Sequence, residues 1–384
     1  MNNLERYLRG SRKYFSYSKD NDIDKLRDYV SSSNVNVIVI NSHIARNEVV
    51  KSNGYHHIIW DTAYWISYER FAQIVLAIMS NEFDENHYVK EIDYLDSILL
   101  QHLTYKYEYI NSDYALIMAK ESISCGFNDI DFVRSKTGAL EQVIKLAKIN
   151  LLSHEVAHVE FERHKDLEEQ ITDTIKDYLE YLANTEDAFG VYADYPEMKD
   201  SLEKFSEFVH GNDSHLLMEL ADDAHSFVEG LLFISCNLSD SSLIPMYIHG
   251  ASIARWFNHV INTADGVIDY LLSNKPASSP YAHPTIKKTN YINFFRYLLF
   301  EPVMQITFAQ VYKEAGFSYE EFKDIAEEIQ DIRDRYNKRI VPSLDYFLRY
   351  KLYHLLSNND TLEKTSQLKE KGKIIDFLFS SPIK

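Results

Sequence analysis

The chain has 384 residues, 45% of them hydrophobic, enough for one large domain or two ordinary ones with a sizeable core in either case. Its net charge of −18, from 58 acidic against 40 basic side chains, repels nucleic-acid phosphate and argues against a nucleic-acid partner. The two cysteines, Cys125 and Cys236, lie far apart without a C-x-x-C neighbour, which argues against a disulfide framework or a cysteine-based zinc site and fits a reducing cytoplasm. The opening residues MNNLERYLRGSRKYF carry charges every few positions instead of the apolar core of a signal peptide. The most apolar later stretches, near 231 and 296, are interrupted well short of the ~20 residues a membrane span needs. A cytoplasmic protein with no membrane span is expected.

Only 11 glycines and 8 prolines punctuate the chain, and most of it has helical periodicity. Two early runs differ: VNVIVIN at 35–41 and HHIIWD at 56–61 are short, apolar and flanked by turn residues, as strands are. Amphipathic helices are expected over 62–80, 85–107 and 112–124, then over 138–164, 166–185, 197–210, 213–237, 244–273 and 285–315. The Pro/Ser-rich stretch SNKPASSPYAHP at 273–284 reads as a loop and 358–384 as a polar, lysine-rich tail. The expected fold class is mainly α (α+β): an N-terminal mixed lobe with a small sheet over 1–137, a large helical lobe over 138–357, and the tail. The charged segment 165–210 reads either as a lid over a cleft or, better, as a solvated helical pair.

The segment LLSHEVAHV, 151–159, places His154 and His158 one turn apart on a helix, so that both imidazoles leave the same face and can bind one metal ion. Glu155 stands beside them as a candidate general base. Two histidines, a third protein ligand and a water make the open tetrahedral zinc site of hydrolytic enzymes. A bare H-E-x-x-H also arises by chance, and Glu160 is charged where the motif usually continues apolar. A second element strengthens the first: in HLLMELADDAH, 215–225, Glu219 and Asp223 stand four apart among Leu216, Leu217, Leu220 and Ala224. Glu219 could complete a His2Glu zinc (Zn2+) site, with Asp223 holding the outer N–H of a ligating histidine. The competing reading of that pair is a solvated acidic face.

Rival ligands exist. His164 follows His158 at a metzincin-like distance, but Phe161 occupies the position where that pattern requires glycine, so His164 is expected at the surface. Asp222 and His225 form a further pair that could approach a metal. His283, held by Pro284 before a long helix, either donates to a developing oxyanion or simply caps the helix or meets water.

HEVAH, the E-x-x-x-D of Glu219 to Asp223, and the later His-Pro together resemble the signature order of gluzincin metallopeptidases. The plan is most similar to the Lit-type phage-exclusion peptidases and more loosely to the ImmA/IrrE-type and HtpX-like zincins. An HtpX-like His-Pro is followed closely by arginine, whereas Lys287, Lys288 and Thr289 follow here. The resemblance implies a zincin-like core in which His154, His158 and Glu219 bind zinc and Glu155 is the base. It further implies cleavage of one particular intracellular protein, with phage defence as the setting and room for an activating partner or inhibitor. It also implies a substrate strand added to the edge of the small sheet, with HHIIWD as the expected edge. The alternative function is a partner-binding or sensor protein that keeps a zincin core without catalysis. A fourth protein ligand closing the site would favour that alternative.

Overall fold

The computed structural model describes residues 3–11, 15–31, 35–79, 85–108, 110–126, 137–184, 214–235, 242–272, 288–313 and 316–357. The segment 197–210, the Pro/Ser-rich loop from 273, His283 and the tail 358–384 lie outside these residues. Helix takes 81% of what is described, and the remaining regular structure is a four-stranded sheet near the N-terminus, so the fold is mainly helical with a small N-terminal sheet. No described helix is long and apolar enough to cross a membrane.

A helix α1 (Asn3–Ser11) precedes β1 (Phe15–Tyr17), α2 (Asn21–Ser31), β2 (Val35–Ser42), β3 (Glu48–Ser52) and β4 (Tyr55–Asp61). The strand order is β1-β2-β4-β3; β2 and β4 run parallel with Val37 opposite Ile58, and the two outer pairs are antiparallel. The side-chain period of two sorts the sheet's residues by face. Val35, Val39, Ile58 and Trp60 enter the main core, while Ile40, Ile59 and Val50 join Leu4 and Leu8 of α1 in a smaller cluster. Both faces are therefore covered. The expectation that HHIIWD forms the sheet edge is corrected here, because β4 hydrogen-bonds to β2 on one side and β3 on the other. The edges are β1 and β3. The cause is a hairpin turn at Asn53-Gly54, whose φ values of 55° and 80° are those of the two central residues of a type I′ turn.

Asp61 ends β4 and starts the next helix, α3 (Thr62–Met79): its carboxylate accepts the backbone N–H groups of Ser42 and Ala63, both at 3.1 Å, as an N-cap side chain does. There follow α4 (Glu85–Tyr107), α5 (Ser112–Ser124), α6 (Thr137–Arg163), α7 (Lys165–Ala183), α8 (Ser214–Phe233), α9 (Leu243–Leu272), α10 (Lys288–Val311), α11 (Tyr319–Arg339), α12 (Val341–Tyr346) and α13 (Leu352–Ser357). A single turn of π-helix, Phe347–Lys351, joins the last two.

One cluster of buried apolar side chains runs from Ile23 and Trp60 through Leu103, Leu152 and Phe257 to Leu356, so residues on both sides of 137 share a core. At its centre α6 is held by three devices. The Lys148 ammonium forms ion pairs with Asp20 and Asp22, each at 2.9 Å, and lies over Trp65, which stacks on Trp60. At the far end of the helix Glu162 pairs with Lys51 of β3 and with His56 of β4, the latter at 2.5 Å. Ahead of Lys148, α9 presses its backbone on α6 at Gly250, where a Cβ would stand 2.7 Å from the Val143 carbonyl oxygen.

Candidate metal centre

α6 delivers HEVAH to the middle of the molecule. Its residues from Val143 to Phe161 are largely buried, with His154 and Glu155 only 4% and 7% exposed. The i, i+4 spacing puts the imidazoles of His154 and His158 on one face, with ring centroids 4.8 Å apart and nearly perpendicular. α8 packs against that face through Leu216, Leu220, Ala221 and Ala224, in the same apolar cluster as Ala157 and Phe161. This packing turns Glu219, Asp222 and Asp223 towards α6. The Glu219–Asp223 pair is thus no solvated face: Asp223 is 1% exposed and the Glu219 side chain 14%.

One ligand-type atom each of His154, His158 and Glu219 lies within 4.8 Å of the others, and His154 Nε2 is 3.8 Å from Glu219 Oε2. Ligand atoms about 2.1 Å from a tetrahedral zinc stand about 3.4 Å apart, so small side-chain rotations suffice. The outer nitrogens are engaged as metal-ligating histidines require. His154 Nδ1 is 2.9 Å from Asp223 Oδ1 and His158 Nδ1 is 2.7 Å from Asp222 Oδ2, contacts close in distance though not aligned as straight hydrogen bonds. Asp223, expected behind one of the two histidines, stands beside His154. Asp222, considered above as a ligand, instead sits behind His158.

Two arginines complete the cluster, and neither was singled out in the sequence. Arg255 of α9 reaches Asp223 Oδ1 at 2.8 Å, and its guanidinium lies over the Phe300 ring. Arg296 of α10 grips Asp223 through Nε at 3.1 Å and Nη2 at 2.9 Å, and Glu219 Oε2 through Nη1 at 2.5 Å. Asn150, one turn before His154, donates to the Tyr247 hydroxyl at 3.0 Å, which in turn donates to backbone carbonyls of α8 at Ser226 and Phe227. The buried Tyr64 hydroxyl, with no hydrogen-bond partner in the described structure, is an electrostatic neighbour of Arg255 and Glu155.

The electrostatics follow from burial and these partners. Burial pushes the Glu155 carboxyl up to about 7, with Glu219 adding to the shift and His158 and the arginines opposing it. Burial and Arg255 bring His154 down to about 3. At His158 burial also disfavours the charge, but the Asp222 carboxylate outweighs it and lifts the imidazole to about 9. Asp223 is buried as well, yet Arg255 and Arg296 hold its carboxyl below the ordinary range. Four carboxyl groups, those of Glu155, Glu219, Asp222 and Asp223, face two guanidiniums and the His158 imidazolium. Buried charge is costly unless compensated, and a cation bound at the histidines would take the place of the proton on His158. The donor set and the outer partners fit zinc.

His215, one turn before Glu219, has its Nδ1 4.0 Å from Glu219 Oε1 and is half exposed. His225 pairs with Glu160 at 3.1 Å and His164 is an exposed residue between α6 and α7. His283 lies outside the described residues. No known protein-family model matches the chain, and no curated protein or solved structure does so either. The functional reading therefore rests on the residues themselves.

Proposed function

We propose that this chain is a zinc-dependent endopeptidase of the gluzincin kind, with His154, His158 and Glu219 as ligands and Glu155 as general base. One observation carries the proposal: two separate helices bring these three ligand groups within reach of a single ion. Zinc bound there would polarise a scissile carbonyl and acidify a water molecule. Glu155, buried beside the ligands with its carboxyl near neutrality, suits the transfer of a proton from the attacking water to the leaving amine. Asp222 and Asp223 fix the histidines, and the two arginines pair with Asp223, Arg296 also with Glu219. Among the described residues no fourth His, Cys, Asp or Glu joins the three, which favours an open catalytic position over a closed structural one.

Lys51 and His56 tie β3 and β4 to the end of α6, so β3 is the sheet edge suited to an extended substrate peptide. The resemblance to phage-exclusion peptidases adds the expectation of one specific protein substrate in a bacterial cell. Glu155→Gln is expected to lower cleavage by about 10²–10⁴-fold while keeping zinc and the thermal midpoint. The check is a proteome-wide comparison of cells expressing either protein. Equal cleavage by both, or a variant that has lost its zinc, contradicts Glu155 as a purely catalytic base.

A further inference from the structure

One guanidinium touches the atoms assigned to the metal. Arg296 Nη1 is 2.5 Å from Glu219 Oε2, the oxygen nearest His154 Nε2, and Arg296 Nη2 is 3.4 Å from that same Nε2. An imidazole nitrogen has one lone pair, which either accepts a hydrogen bond or binds a metal. Zinc bonds of about 2.0–2.2 Å to Oε2 and Nε2 leave no room for a second cation on both atoms.

We propose that Arg296 competes with the metal ion for Glu219 and His154, and so sets the affinity of the centre for a divalent cation. The inference rests on the ligand reading above. Binding draws the guanidinium off Glu219 and His154 and leaves Asp223, which it already holds through Nε and Nη2, as its anchor. Arg255 provides the comparison: it carries the same charge and reaches the same Asp223 oxygen at 2.8 Å, but it acts on His154 and Glu219 through its charge and not through a direct ion pair.

The test is chelator competition with zinc on purified wild type, Arg296→Gln, Arg296→Lys and Arg255→Gln. Competition requires Arg296→Gln to bind one zinc at least about tenfold more tightly than wild type, with Arg296→Lys between them and Arg255→Gln, which removes the same charge, gaining clearly less than Arg296→Gln. It also requires the zinc-depleted Arg296→Gln protein to melt below zinc-depleted wild type, and the two zinc-loaded proteins to melt together. Equal affinity in wild type and both Arg296 variants, each holding one zinc, overturns the competition and leaves the ligand reading intact. An equal gain in Arg255→Gln overturns it too, by showing a general charge effect. Zinc binding by none of the proteins overturns the ligand reading itself.

Discussion

Glu301 shows how burial at a single residue governs the pH response of this fold. It lies on α10, 4% exposed, and burial pushes its carboxyl up to about 7 against the pull of Arg333. Below about pH 4.5 the carboxyl is protonated in both folded and unfolded chains and costs nothing. As pH rises from about 4.5 to 7 the unfolded chain releases the proton while the folded one keeps it, so stability falls across that window. Glu301→Gln is expected to remove this slope and to exceed wild type by about 2–3 kcal/mol at pH 8. Urea denaturation of both proteins at pH 5 and pH 8 checks it; parallel losses in the two contradict it. Among site residues, the histidine spacing and the Glu219–Asp223 pair were legible because helical period alone puts them on shared faces. Arg255 and Arg296 left a weaker trace. Each is a lone cation in an apolar stretch, ASIARWF and FFRYLLF, which signals a buried partner without saying which carboxylate it is.

At the scale of elements, close approach and turn chemistry position the helices and strands. Replacing a helical glycine by alanine ordinarily stabilises a helix by about 1 kcal/mol. At Gly250 the opposite sign is expected, because the added Cβ meets backbone, the Val143 carbonyl oxygen at 2.7 Å and the Ala147 nitrogen at 3.0 Å, which cannot rotate away. Gly250→Ala should cost about 1–3 kcal/mol; a urea midpoint equal to or above wild type would refute the tight α6–α9 contact. Most long helices follow from periodicity, their ends within a few residues of expectation. The strands β1 and β3 did not, since a three-residue FSY and a five-residue EVVKS hold too few apolar positions to show a period. The Asn53-Gly54 pair after β3 carries the signal of the β3–β4 hairpin, but β4 is internal only through its further pairing with β2. The helix α11 was not among the expected elements, although its signal is there: Ser318 and Glu321 form a capping box, and Ile325, Ile329, Ile332 and Tyr336 follow at helical spacing in the core.

For the whole molecule, the candidate centre is a product of assembly. α6 contributes His154, His158 and Glu155, the two proposed ligands and the proposed base, α8 the proposed third ligand and two carboxylates behind the histidines, and α9 and α10 one arginine each. The order of sheet strands, the pairing of Asp222 with His158 and the convergence of both arginines on Asp223 are relations between distant segments. No local pattern encodes them. The sequence points to His154, His158, Glu219 and Asp223 by their spacing, but not to the Asp222–His158 contact or to either arginine. Elemental analysis of purified wild type, His158→Ala and Glu219→Ala tests the central claim most directly. About one zinc per wild-type chain, lost from both variants while their folds persist, is the expected result. A wild type never exposed to chelator that carries no zinc, or variants that keep it, would contradict a His154–His158–Glu219 centre.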